Sequence, residues 1–131
     1  RHPDHGRGAS LVAEACFLSG LRRIGTQVEG REQEAWRPTT VLHAVQDHWI
    51  DPDLIIDVTP YWPEKERALR CFASQFHDPA STEPSSPISS PGFLPFLEAR
   101  ARQMGRLIGV TYAEGFTVMR PPAMKDLMQL A

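Results

Sequence analysis

The chain has 131 residues, 41% hydrophobic and 23% charged, a globular composition long enough for one modest core and short of a usual two-domain length. Its 14 Lys and Arg are dispersed among 16 Asp and Glu for a net charge of -2, which removes the electrostatic reason for a nucleic-acid partner and leaves no polybasic membrane patch. No apolar run reaches the roughly 20 residues of a membrane span, and no signal-peptide pattern opens the chain.

Cys16 and Cys71 lie far apart and form no CxxC, so neither a zinc knuckle nor a thioredoxin-like pair is expected. Both read as buried thiols in a reducing compartment. There is no initiator methionine, and the chain begins inside a site-like motif, so it reads as part of a longer protein.

That motif is Arg1-His2-Pro3-Asp4-His5. Asp4 is expected to N-cap a helix from about 5 to 19, with His5 in its first turn and His2 just outside, both rings at one mouth. The positive end of the helix dipole favours neutral imidazole at His5, the form a metal needs. The carboxylate beside His2 suits the imidazolium, and with it proton donation or stabilisation of an oxyanion. The competing reading is a polar helix cap.

From 6 to 20, Gly6, Gly8, Ala9, Ala13 and Ala15 alternate with Leu11, Val12, Cys16 and Leu18. This predicts a helix packed closely on a sheet or another helix, with Gly20 as its C-cap. The charged stretch 21–38 reads as an irregular surface excursion. Stretches 41–46 and 54–59 read as neighbouring strands, the second buried on both faces because Leu54-Ile55-Ile56 is continuously apolar. His43 and His48 fall in and just after the first strand, where packing competes with a pocket role.

Thr59-Pro60-Tyr61-Trp62-Pro63-Glu64 opens the next helix, with Glu64 and Glu66 near its positive end. Trp62, Leu69, Phe72 and Phe76 form its core stripe. Residues 77–92, rich in Ser and Pro, read as a long mobile loop suited to a lid or an interface. A third helix follows from Phe93, Leu97, Ala101, Met104 and Ile108, ending at Gly109, with Arg100, Arg102 and Arg106 as solvated charges. Stretch 110–118 reads as strand, turn and strand, with Tyr112 and Glu114 facing one way. Met124, Leu127, Met128 and Leu130 suggest a short terminal helix. There is no internal repeat and no phosphate-binding glycine loop.

Five blocks carry a family resemblance: Arg1-His2-Pro3-Asp4-His5-Gly6-Arg7, the helix from Leu11 to Gly20, Ile56-Asp57-Val58, Ser74-Gln75-Phe76, and Gly109-Val110-Thr111-Tyr112-Ala113-Glu114-Gly115-Phe116. In this order they resemble the LmbE-like, or PIG-L, zinc-dependent N-deacetylases. The likeness is nearest to the bacillithiol-biosynthesis enzymes acting on N-acetylglucosaminyl-malate.

The resemblance implies an α/β chain, with residues 1–131 the C-terminal part of a single Rossmann-like, three-layer deacetylase domain. The family's other motif, His-Pro-Asp-Asp, supplies two zinc ligands and the general base, and it does not occur here. His5 would be the third Zn2+ ligand. His2 would stabilise the tetrahedral intermediate or protonate the leaving amine, and Asp4 would orient it. Arg1 would be the arginine frequent beside that block and Tyr112 a mobile tyrosine at the pocket mouth, both meeting the substrate.

The substrate so implied is a small amino-sugar glycoside, with neither nucleic acid nor membrane as partner, in a cytoplasmic homo-oligomer such as the hexamers frequent in the family. With one ligand and the donor half of the chemistry, the chain alone is expected to be inactive. Two other readings compete with this one. The chain is a non-catalytic sugar-binding or oligomerisation module on the same scaffold, or His2 and His5 recruit His43 or His48 into a self-contained metal site.

Overall fold

The computed structural model describes residues 2–129. The protein is mixed α/β, with three α-helices and small sheets among the described residues. It divides into two compact units, one of residues 2–50 with 116–129 and the other Asp51–Gly115.

In the first unit α1 spans Pro3–Leu18. Proline at the first helical position costs no hydrogen bond, because that N–H has no intrahelical acceptor. The cap therefore moves back from Asp4 to His2, whose extended backbone (φ -65°, ψ 133°) and ring accepting from the Asp4 N–H start the helix. The far end stops at Leu18 with Ser19 as C-cap, ahead of the expected Gly20. Arg37 donates to the Phe17 carbonyl at 3.0 Å and lays its guanidinium 4.7 Å from the Phe17 ring centre. The Trp36 N–H donates to the Ser19 carbonyl at 2.9 Å. These bonds satisfy carbonyls that the helix end leaves open.

The close packing expected of α1 is absent among the described residues. None of its residues is buried, and Leu11 stands 67% exposed. The expected surface excursion contains a hairpin, β1 (Thr26–Val28) antiparallel to β2 (Arg31–Gln33), with Val28 opposite Arg31. Glu29 (φ 52°) and Gly30 (φ 77°) form its two-residue turn, where positive φ at both positions matches the twist of the flanking strands. β3 (Leu42–Ala44) pairs antiparallel with the end of β5 (Ala113–Val118), Leu42 opposite Val118 and Ala44 opposite Phe116.

The second unit holds every buried residue among those described. β4 (Leu54–Asp57) has β5 as its hydrogen-bonded neighbour. The two strands expected to adjoin, β3 and β4, therefore do not pair. β4 is also not buried on both faces: Leu54 and Ile55 are half-buried, and Ile56 and Asp57 are exposed.

After a single 3₁₀ turn over Thr59–Tyr61, α2 runs Trp62–Arg70 and ends short of Phe72, which is exposed. α3 spans Phe93–Ile108 and closes at Gly109 in the left-handed region (φ 76°), where a Cβ would be strained. Trp62, Ala101, Met104 and Ala113 form the apolar core. Phe76 stacks on Phe93 with ring centres 5.5 Å apart.

The expected strand, turn and strand over 110–118 is a turn leading into the single strand β5. Residues 77–92 carry no helix or strand, and there Ser86 and Ser89 bond to one another. The terminal helix is a 3₁₀ turn at Leu127–Gln129, and Leu130 lies outside the described residues. Cys71 is exposed, contrary to expectation, with its thiol donating to the Arg67 carbonyl, and Cys16 is half-buried.

Candidate functional site

The first turn of α1 brings His2 and Asp4 together. His2 Nδ1 lies 3.2 Å from Asp4 Oδ2 and 3.3 Å from the Asp4 backbone nitrogen. The same ring nitrogen thus accepts from the N–H when unprotonated and donates to the carboxylate when protonated. Asp4 is also 3.9 Å from Arg7 Nη1. His5, a turn inside the helix, is exposed. The polar-cap reading describes the local geometry of His2, and its pairing with Asp4 is the arrangement an oriented proton donor requires. Arg1 lies outside the described residues.

His43 sits in β3 opposite Thr117 and is half-buried, while His48 is exposed. Among the described residues no three His, Cys, Asp or Glu side chains gather as a metal would need. The self-contained site built on His2, His5 and His43 or His48 is therefore not formed. His5 alone among the expected ligands does not fit a zinc ion, because a protein zinc site takes at least three donors.

Tyr112 belongs to the other unit, in a network most of which the sequence reading passed over. Its backbone is clamped by the turn that follows β4. Thr59 Oγ1 donates to the Tyr112 carbonyl at 3.2 Å and accepts from its N–H at 3.0 Å, and the Val58 N–H donates to the same carbonyl at 3.0 Å. Thr59 in turn donates its N–H to Asp57 Oδ1 at 2.8 Å. The Thr59 side chain, and then this N–H, hold the Asp57 carboxyl below its usual range.

The Tyr112 ring stacks on Trp62 (centres 4.5 Å apart, planes 12° off parallel), and the Arg102 guanidinium carbon sits 4.6 Å from its centre. The phenol donates to Glu98 Oε1 at 3.0 Å and accepts from Arg102 Nη2 at 2.7 Å. Arg102 also donates Nε to Glu98 at 3.0 Å, so it is no free solvated charge. The hydrogen bonds from Arg102 and then Tyr112 hold the Glu98 carboxyl below the ordinary glutamate range. Burial, followed by the bond to Glu98, pushes the Tyr112 phenol above the ordinary tyrosine range. Lys65 pairs with Glu114 beside this cluster and lies 5.5 Å from the Trp62 ring centre.

Trp62 and Glu98 also line a slot of about 140 Å³ between α2 and α3, together with Glu66, Leu69 and Leu97. It is smaller than usual ligand pockets, which begin at about 300 Å³, and close to a cavity that takes one six-membered ring. The signal that could have found this cluster is the Glu98–Arg102 spacing of four on α3. No known protein-family model matches the chain.

Proposed function

We propose that the chain is the C-terminal part of a zinc-dependent N-deacetylase of the LmbE-like, PIG-L kind, with a Rossmann-like three-layer domain. Its substrate is the acetamido group of a GlcNAc-type glycoside such as N-acetylglucosaminyl-malate. The observation that carries the reading is the His2–Asp4 pair, 3.2 Å apart, at the mouth of a helix whose first turn also presents His5. The ordered blocks quoted above support it.

With Nδ1 turned to Asp4, the other ring nitrogen, Nε2, is the one left to meet substrate. Protonated His2, held by the Asp4 carboxylate, donates from Nε2 to the carbonyl oxygen as charge develops there, then passes the proton to the departing amine. His5 is one zinc ligand. On the same reading the remaining ligands and the base come from the rest of the enzyme, and the chain alone is inactive. Both cysteines are free, which suits a cytoplasmic enzyme. A homo-oligomer fits the same reading.

The test is His5→Ala in the full natural gene product, with bound zinc and acetate release measured. Loss of both is expected, and retention of both would end the assignment. The second reading is a non-catalytic sugar-binding or oligomerisation module on the same scaffold. The gene sequence upstream of Arg1 separates the two. A His-Pro-Asp-Asp block there supports the enzyme, and its absence supports the module.

A further inference from the structure

The slot between α2 and α3 lies wholly within the unit Asp51–Gly115 and owes nothing to His2 or His5. Trp62, Glu66 and Leu69 recur at four and three residues along α2 and so share a face, as do Leu94, Leu97 and Glu98 on α3. Each helix therefore turns apolar side chains and one carboxylate into the same space. Its volume, about 140 Å³, is close to the roughly 150 Å³ of a cavity that holds benzene, so a single six-membered ring fills it.

The two carboxylates keep acceptor capacity. Glu66 takes Arg70 Nη2 at 2.6 Å, and Glu98 takes Arg102 and the Tyr112 phenol, all of these bonds falling on Oε1. A carboxylate has about four lone-pair sites over its two oxygens, and Arg102 and Tyr112 hold Glu98 in the ionised form. Glu66 and Glu98 are the acidic groups lining the slot, against one basic group, Arg70, already committed to Glu66. An anion would meet repulsion there, and a neutral ring would gain only the apolar walls. A primary ammonium brings three donors to acceptors that carry no proton.

We propose that the slot binds a small aryl-alkyl ammonium, with its single ring among Trp62, Leu69 and Leu97 and its ammonium donating to Glu66 and Glu98. Ring burial supplies the affinity, and the two carboxylates supply the choice of charge.

Calorimetric titration of the full natural gene product with benzylammonium chloride tests the proposal, with a Kd of about 1 mM expected for a ligand of this size. Benzyl alcohol, of the same shape without the charge, should bind about tenfold more weakly, and benzoate should give no heat. Glu66→Gln, which leaves the bonds between Glu98, Arg102 and Tyr112 in place, should weaken benzylammonium about three- to tenfold. Leu69→Trp, which fills the slot, should abolish binding, with far-ultraviolet circular dichroism confirming that the variant is folded. If it does not fold, Glu66→Gln decides by itself. No heat at about 20 mM benzylammonium, well above the expected Kd, would overturn the proposal, as would equal affinity for benzyl alcohol or unchanged binding in Glu66→Gln. Acetate release plays no part in this readout, so the slot is judged separately from the deacetylase reading.

Discussion

Gly105 offers a prediction whose sign runs against helix propensity. It lies near the end of α3, where replacing glycine by alanine ordinarily stabilises a helix by about 1 kcal/mol. Here a Cβ would stand 2.6 Å from the Val110 carbonyl oxygen and 2.9 Å from that of Thr111. Ordinary carbon–oxygen contacts begin near 3.3 Å, so the closest overlap is roughly 0.7 Å, against backbone that has no rotamer to move. That backbone is also anchored, because the Val110 N–H donates to the Gly105 carbonyl at 2.9 Å. Overpacking costs about 1–3 kcal/mol, so Gly105→Ala is expected to give none of the usual gain and to destabilise the unit by up to about 2 kcal/mol after the propensity gain is set against it. The control is Gly8→Ala in α1, where no atom lies within 4 Å of the new Cβ. A gain of about 0.5–1 kcal/mol is expected there. Urea unfolding followed by far-ultraviolet circular dichroism reads both variants, and emission from buried Trp62 reports on the second unit. A Gly105→Ala chain stabilised as much as the Gly8→Ala chain would refute the close approach of 110–111 to α3.

Three further outcomes can be measured with the same chain. Met104, 2% exposed and packed where a Gly115 Cβ would meet its Sδ at 3.2 Å, should cost about 2–5 kcal/mol as Met104→Ala in urea unfolding. Glu29 holds φ 52° in the β1–β2 turn. Glu29→Asn, which tolerates that conformation, should therefore stabilise the hairpin by up to about 1 kcal/mol, read by amide hydrogen exchange across Val28 and Arg31. Stability should also fall at both ends of the pH range. The depressed carboxyls of Glu98 and Asp57 contribute above their unfolded values and lose that contribution as pH falls through their folded ones, whereas Tyr112 contributes below pH 10 and loses it as pH rises through its raised value. Glu98→Gln should flatten the acid limb, and an unchanged acid limb would contradict the network.

The elements legible in the sequence were those in which two independent signals agreed. α3 showed both a stripe of Phe93, Leu97, Ala101 and Met104 and a terminal Gly109, and it runs Phe93–Ile108 as read. In α1 the helix was legible but its cap was displaced, because Pro3 fits the first helical position better than the turn before it. The hairpin of 26–33 was hidden because its strands are polar and fully exposed, leaving only Glu29-Gly30 as a signal. The adjacency of β3 and β4 failed for a deeper reason. Strand order depends on which segment returns to pair, and β5, some 60 residues on from β4, supplies the bonds to both.

The same distinction between local and returning contacts governs the two candidate site clusters. His2 and Asp4 are two residues apart, so composition alone exposed their pairing. Tyr112 takes its hydrogen bonds from Glu98 and Arg102, 14 and 10 positions earlier, and from Thr59, 53 positions earlier. Periodicity put Arg102 off the core face of α3 and left it to solvent. Its actual partner arrives because Gly109, in the left-handed region, turns the chain back towards the helix, and Gly105, lacking a side chain, lets 110–111 lie against it. Two glycines thus bring Tyr112 within reach of Glu98 and Arg102. A substitution at Gly105 should therefore disturb the Tyr112 ionisation as well as stability, and one at Gly8 should disturb neither the phenol nor its partners.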